Sequence, residues 1–173
     1  MLRVAAQEAD GAILNWLSPS DVLTARQVTG PDALVAARVF VCCSSDTAAV
    51  RTAARLIARY FTVPGYAAFH RWLGRGAALT PMWDAWQSGD RKGAATTVPD
   101  EVVDDLIVPG TPGECAAKLR ACQAAGVDIP IVKLLPLGPR RDLPAEAAAV
   151  ASVFGIARAV SRLASIRHAE TAG

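Results

Sequence analysis

The chain has 173 residues, of which 52% are hydrophobic, and this proportion supplies a substantial core and argues against disorder. Its 18 basic and 16 acidic residues nearly cancel and are spread along the sequence, which argues against a nucleic-acid partner or a membrane surface. The longest uncharged apolar stretch, residues 147–157, is too short to span a membrane, and the N-terminus lacks the apolar segment of a secretory signal. We therefore expect a cytoplasmic protein.

Apolar runs over residues 11–16, 35–43 and 127–135 alternate with long helical stretches, a pattern typical of βαβ units in a parallel sheet. An amphipathic helix over residues 1–8 opens the chain, and no capping side chain precedes it. A (β/α)8 barrel contains eight strands in roughly 250 residues. The fold class that we expect is therefore α/β, a partial TIM barrel consisting of the last three strands.

Two helix starts are recognisable from their capping residues. Ser18, followed by proline and then by Asp21, predicts a helix that leads on from the first strand. Thr111, Pro112 and Glu114 predict a second helix with a capping box, and the glycine at position 126 ends it.

Pro130 lies inside the third apolar run and cannot donate a hydrogen bond to a neighbouring strand. We therefore expect the paired part of this strand to begin at Ile131. Alanine-rich residues 144–168 predict a further helix, within a C-terminal helix and tail at residues 139–173 that follow the barrel portion at 1–138.

Residues 46–108 are too long for an ordinary strand-to-strand crossover and predict a helical insertion between the second and third strands. They contain three of the four tryptophans, both tyrosines and the first histidine. An insertion on the C-terminal face of a barrel strand would cover the mouth of the active site. Aromatic side chains at helical spacing are more often core residues, so both interpretations stay open.

The cysteines favour structural roles over a metal site. Cys42 and Cys43 are adjacent on a strand, where consecutive side chains point to opposite faces. We interpret them as small, buried hydrophobic residues. Cys115 and Cys122 lie two helical turns apart, too far for a disulfide. Without a CxxC pair and with only two histidines, the sequence predicts no metal site.

Four segments, taken in order, resemble the C-terminal part of the luciferase-like monooxygenase superfamily, and in particular its coenzyme F420-dependent oxidoreductases. They are residues 9–19, 37–42, 110–115 and 126–128. The resemblance covers residues 1–138 and matches the sixth, seventh and eighth strands of that family's barrel. It implies that coenzyme F420, or alternatively FMN, binds at the C-terminal face, with hydride transfer to or from a small organic substrate.

The family's first five strands carry most of the ring-binding residues and the phosphate contacts, and they have no counterpart in this sequence. We therefore expect the chain to be a partial one, and free FMN or F420 to bind weakly or not at all. The tail from residue 140 onwards is also longer and richer in alanine than the family pattern.

Barrel geometry predicts that site residues lie where the strands end. Asn15 and Trp16 are the candidate cofactor-binding residues, the amide donating to a ring carbonyl and the indole stacking on a ring face. The alternative interpretation, that Asn15 caps a turn and that Trp16 fills the rim of the barrel, explains these residues equally well. Further residues are candidates for the site only because they lie near strand ends, namely Cys42, Cys43, Ser44, Lys133 and Leu135.

Tyr66, His70 and Trp72 in the insertion are the candidate substrate-pocket residues. His70 with Arg71 could meet an acidic group, whereas a solvated surface pair is the plainer interpretation. No side chain is assigned a catalytic role.

The motifs of serine hydrolases, P-loop enzymes, dinucleotide-binding folds and zinc proteases are all absent from the sequence. An oxidoreductase whose cofactor performs the chemistry fits this absence. The alternative is a non-catalytic barrel remnant, because a three-stranded parallel piece has open edges that predict a homo-oligomer or pairing with another chain.

Overall fold

A computed structural model of the chain describes residues 1–135 and, beyond them, Ala148 and Ala151. The remainder of the predicted helix at 144–168, and of the tail at 139–173, lies outside the described residues. Within the part described, none of the helices combines the length and the apolar character that crossing a membrane requires.

Eight helices and four strands make up the described part of the chain. In order they are α1 (Leu2–Glu8), β1 (Gly11–Asn15), α2 (Pro19–Thr29), β2 (Leu34–Cys42), α3 (Thr47–Phe61), α4 (Pro64–Trp72), α5 (Gly76–Gln87), α6 (Arg91–Thr96), α7 (Asp100–Leu106), β3 (Ile107–Pro109), α8 (Pro112–Ala124) and β4 (Ile129–Leu134).

The sheet is parallel throughout, and β2 lies at its centre. One edge of β2 pairs with β1 and the other with β4, which is the arrangement of three consecutive strands of a barrel wall. The sheet does not close on itself within residues 1–135. The predicted partial barrel is confirmed, and because the three main strands are parallel they end at the same side of the sheet.

The short strand β3 is absent from the sequence prediction, which placed a helical insertion up to residue 108. Ile107–Pro109 pairs with Phe40–Cys42, on the same edge of β2 as β1 and directly beyond it. Three residues carry no periodic signal. The strand exists because β2 extends past the end of β1 and offers its edge there.

Pairing of β4 begins at Ile129, so the expected start at Ile131 is wrong. Leu135 donates its backbone N–H to the Val41 carbonyl at 2.8 Å. Since alternate residues of a strand direct their N–H groups to opposite edges, the Pro130 nitrogen faces away from β2. No strand pairs with that edge of β4 in the described residues, so the missing N–H of Pro130 removes no hydrogen bond between strands.

Both predicted helix starts are confirmed. Ser18 and Asp21 form a capping box at the start of α2, and Thr111 and Glu114 form another at the start of α8. Because each box satisfies backbone groups at the first turn, these two helices begin at positions that the local sequence determines.

Helices α2 and α8 cover the outer face of the sheet, and the insertion covers part of the inner face. The outer cluster is aliphatic and includes Val35, Val39 and Leu119. The inner cluster is aromatic and includes Trp16, Phe40 and Phe61. Cys42 belongs to the inner cluster and Cys43 packs against the outer one, so the two lie on opposite faces as expected.

Candidate functional site

The end of β1 borders a groove of about 800 Å³, which we call the edge groove. It runs along the edge of β1 that pairs with no strand of the described residues, and it is bounded by α1, the end of α2 and helix α4. Its lining is largely apolar and consists of Met1, Leu2, Arg3, Ile13, Leu14, Asn15, Val28, Val63, Gly65, Tyr66, Phe69 and Trp72. The volume lies within the range of small-molecule and cofactor sites.

Helix α4 presents one face to this groove. Tyr66, Phe69 and Trp72 lie three residues apart, and this spacing places them along one side of the helix. The rings of Phe69 and Trp72 stack with their centroids 5.7 Å apart. Trp72 remains 47% exposed, so its indole is available to a ligand in the groove. The three-residue spacing was the signal that could have added Phe69 to the predicted pocket.

Asn15 is the polar residue where β1 meets the edge groove. Its side-chain oxygen Oδ1 is buried and has no hydrogen-bond partner among the described residues. A buried acceptor without a partner costs about 1–3 kcal/mol. Asn15 thus lines the groove and carries a buried acceptor that has no partner in the described part of the chain.

Trp16 follows Asn15 and is held in an unusual backbone conformation. Its φ of 59° makes it the one non-glycine residue with positive φ among those described. The left-handed conformation costs roughly 1–2 kcal/mol for a residue with a side chain, and such strain concentrates at functional sites. The turn directs the indole into the inner cluster while Asn15 stays at the groove.

The Trp16 indole is 1% exposed and does not line the edge groove. It stacks on Phe40 with ring centroids 3.6 Å apart and an interplanar angle of 8°. Phe61 meets it edge-on at 5.8 Å. The predicted stacking partner was a cofactor ring, whereas the ring found on the indole is Phe40. The buried position of the Trp16 indole fits the interpretation that this tryptophan fills the rim of the barrel.

His70 also belongs to α4, but it does not line the groove and is fully buried. Its ring packs against Phe61 with centroids 4.0 Å apart, and neither ring nitrogen has a hydrogen-bond partner within the described residues. Burial is the main cause, and the Arg75 cation a smaller one, that together lower the pKa of His70 from 6.5 to about 4, while Asp21 opposes the shift. The histidine is therefore neutral at physiological pH.

A buried ion pair close to His70 joins the insertion to the start of α2. Arg75 donates to both carboxylate oxygens of Asp21 at 2.8 Å, and it also reaches Asp105 at 3.1 Å. Burial lowers the pKa of Arg75, but the hydrogen bonds and charges of these carboxylates raise it overall. Sequence reasoning assigned Asp21 to capping alone, because its partner lies 54 residues away.

The inner face of the sheet beyond the insertion is open in the described part of the chain. Register places Asn15, Arg38 and Ile131 in one row across β1, β2 and β4, and paired residues of parallel strands share a face. Ile13, in the preceding row, is 70% exposed. Within residues 1–135, no group of three or more His, Cys, Asp or Glu side chains is placed to hold a metal ion.

The structure thus divides the predicted site residues into two sets. Asn15, Tyr66 and Trp72 meet at the edge groove, whereas Trp16 and His70 lie in the core beside it. Their roles toward cofactor and substrate stay predictions.

The fold resembles that of the coenzyme F420-dependent tetrahydromethanopterin reductase from Methanopyrus kandleri, with a TM-score of 0.64 and 21% sequence identity. The matched region covers 86% of this chain and 46% of the reductase, so the chain spans less than half of that protein. Among curated proteins, none matches this sequence significantly. The sequence model of the luciferase-like monooxygenases matches residues 1–129. With three quarters of its length matched, this chain belongs to the luciferase-like monooxygenase family.

Proposed function

We propose that this chain is the C-terminal barrel portion of an oxidoreductase that transfers a hydride between coenzyme F420, or alternatively FMN, and a small organic substrate. Family membership and the likeness to an F420-dependent reductase support this type of reaction. The edge groove includes the carboxyl end of β1, and the carboxyl ends of the strands are where ligands bind in barrels of this kind.

One observation carries the proposal, namely the buried Asn15 oxygen without a partner at the edge groove. Flavin and deazaflavin rings have an imide N–H flanked by carbonyls on an otherwise largely flat, apolar surface. The Asn15 oxygen can accept from that N–H, while its NH2 group can donate to a ring carbonyl as the sequence predicted. The residues present therefore fit the polar edge of such a ring.

When bound, the cofactor would supply the hydride acceptor or donor, which no protein side chain can provide. The chain's own residues orient the ring and exclude water. Asn15 sets the direction of the polar edge, and Tyr66, Phe69 and Trp72 supply an apolar wall. The strained turn at Trp16 holds Asn15 in place, because the indole is clamped against Phe40.

The test is a fluorescence titration of the 173-residue chain with riboflavin, FMN and F420. We expect saturable binding with dissociation constants of about 10 µM or weaker, and riboflavin equal to FMN within about threefold, because the phosphate contacts belong to other strands of the family's barrel. Asn15→Leu should weaken binding by about two- to tenfold, the effect of one lost hydrogen bond.

The matched control is Gln123→Leu, which removes an amide from the exposed surface of α8. If no ligand binds saturably, or if both variants bind as the unchanged chain does, the proposed site is wrong. Sub-micromolar binding of FMN would contradict the expectation of an incomplete phosphate site.

A second candidate is a barrel segment that acts by association with another chain. The exposed inner face favours it, since Ile13, Ile129 and Ile131 are 70%, 48% and 37% exposed, and unpaired strand edges promote pairing. Analytical sedimentation of two variants tests this association. Ile13→Asp alters the inner face, and the control Leu23→Asp alters an exposed leucine of α2. Dissociation of an oligomer by the first variant alone supports association. A concentration-independent monomer in every case contradicts association with a second copy.

A further inference from the structure

A second depression in the surface, which we call the basic cleft, lies between α3, α5 and α6. Its volume is about 520 Å³, and its lining consists of Arg55, Ala58, Arg59, Trp86, Arg91, Lys92, Ala95 and Thr96. It shares no residue with the edge groove.

The basic cleft holds four cations and no carboxylate among its lining residues. None of the four makes an ion pair within the described part of the chain. The nearest acid in sequence, Asp90, accepts a hydrogen bond from the Gly93 backbone at 2.8 Å as the N-cap of α6. Because the whole chain is almost neutral, this concentration of positive charge belongs to the cleft rather than to a general excess.

Helix α3 explains part of this charge. It carries three arginines and no acidic residue, and Arg51 is already paired with Asp100. Arg55 and Arg59 lie one turn apart on its exposed side, about 6 Å from each other along the helix. The opposite side of α3 is buried in the inner cluster through Ile57 and Phe61, so the two arginines project from a fixed base.

Arg91 approaches the cleft from the other wall and is held in position. Its guanidinium lies 3.7 Å from the centre of the Trp86 ring, a cation–π contact. This contact restricts the side chain without neutralising its charge. Lys92 is adjacent, and the small side chains of Ala58 and Ala95 leave space between the walls.

We propose that the basic cleft binds a small molecule that carries two or more phosphate groups. Three guanidinium groups suit phosphate, because each can donate two parallel hydrogen bonds to its oxygens. Four cations in one cleft match the charge of a di- or triphosphate. Because the cleft is separate from the edge groove, this inference does not depend on the proposed oxidoreductase function.

The experiment is isothermal titration of the 173-residue chain with inorganic tripolyphosphate, pyrophosphate, orthophosphate and citrate. We expect tripolyphosphate to bind most tightly and orthophosphate at least tenfold more weakly, because a single phosphate carries less charge and fewer oxygens for the four cations of the cleft. Citrate distinguishes clustered phosphates from clustered carboxylates and should also bind weakly. Affinity should fall as salt is raised, since the interacting charges are exposed.

The double variant Arg55→Gln and Arg59→Gln should weaken tripolyphosphate binding by at least tenfold, and Arg91→Gln should weaken it several-fold. The matched control is Arg120→Gln, which removes an exposed arginine on α8 that makes no ion pair with the described residues. Circular dichroism verifies that each variant is folded. Lys92→Gln serves as a second variant if the double variant does not fold.

Three outcomes would overturn the proposal. They are the absence of saturable tripolyphosphate binding, an equal loss in Arg120→Gln, and equal affinity for orthophosphate and tripolyphosphate. Tighter binding of citrate than of tripolyphosphate would overturn the choice of phosphate.

Discussion

The outer face of the sheet is covered by two helices with well-defined caps, whereas the inner face is covered at one end by an insertion of five helices. The outer cluster is built from medium-sized aliphatic residues that lie close to the strands in sequence. The inner cluster joins Trp16 and Phe40 of the barrel to distant residues such as Trp83, whose indole N–H donates to the Phe61 carbonyl at 2.9 Å. The edge groove and the basic cleft both adjoin this second region. The edge groove lies where the insertion meets β1, whereas the basic cleft lies within the insertion itself, so both proposed binding surfaces depend on this inserted region.

Truncation of one residue in each cluster tests whether the two faces contribute equally to stability. Leu119 and Phe61 are both fully buried. We expect Phe61→Ala to cost about 3–5 kcal/mol and Leu119→Ala about 2–5 kcal/mol in free energy of unfolding, measured by urea denaturation. A cost below about 1 kcal/mol for Phe61→Ala alone would mean that the insertion is not part of the cooperative core.

Removal of the buried arginine tests the link between the two regions. Arg75→Met leaves the Asp21 carboxylate buried without its partner and should cost about 3–5 kcal/mol. Arg51→Met breaks the exposed pair with Asp100 and should cost about 1 kcal/mol or less. Denaturant melts of both variants give the comparison. Equal costs would show that Arg75 does not tie the insertion to α2.

Acid should destabilise the inner cluster through His70. The pKa in the folded chain is about 4, below the ordinary value of 6.5, so the unfolded chain binds the proton more readily. The contribution of neutral His70 to the free energy of unfolding is therefore complete above pH 6.5, and it is lost as the pH falls towards 4. We expect this loss to reach about 2–3 kcal/mol.

His70→Phe should reduce the slope of stability against pH between 6.5 and 4, because phenylalanine carries no titrating group. The carboxylates that titrate in this range are common to both proteins, and the difference between the two profiles isolates His70. Parallel profiles would contradict a neutral, buried histidine.

The smallest effect on stability is expected at the exposed edge of the groove. Trp72→Ala should cost about 1 kcal/mol or less, because the indole is 47% exposed, yet it should weaken riboflavin binding measurably. Denaturant melts and ligand titrations measure both. If Trp72→Ala unfolds the protein as readily as Leu119→Ala, the whole aromatic segment of the insertion is core.

The candidate site was only partly predictable. Asn15 could be proposed because strand ends carry the sites of barrels, and Tyr66 and Trp72 because aromatic residues gather in the insertion. The sequence did not predict whether each aromatic side chain points to the groove or to the core. Helical spacing shows which residues share one face of a helix, but it does not show what that face contacts. Trp16 and His70, which the sequence offers as candidate site residues, are buried in the structure, and their roles toward cofactor and substrate stay predictions.

Local chemistry by itself determined the helix starts at Ser18 and Thr111 and the parallel character of the three main strands, because capping and apolar patterning act over a few residues. Only the tertiary structure decided the pairing of β3 with β2, the tolerance of Pro130, the ion pair between Arg75 and Asp21 and the gathering of four cations in one cleft. Each of these depends on residues far apart in the chain. Their proximity follows from packing, which no short segment encodes.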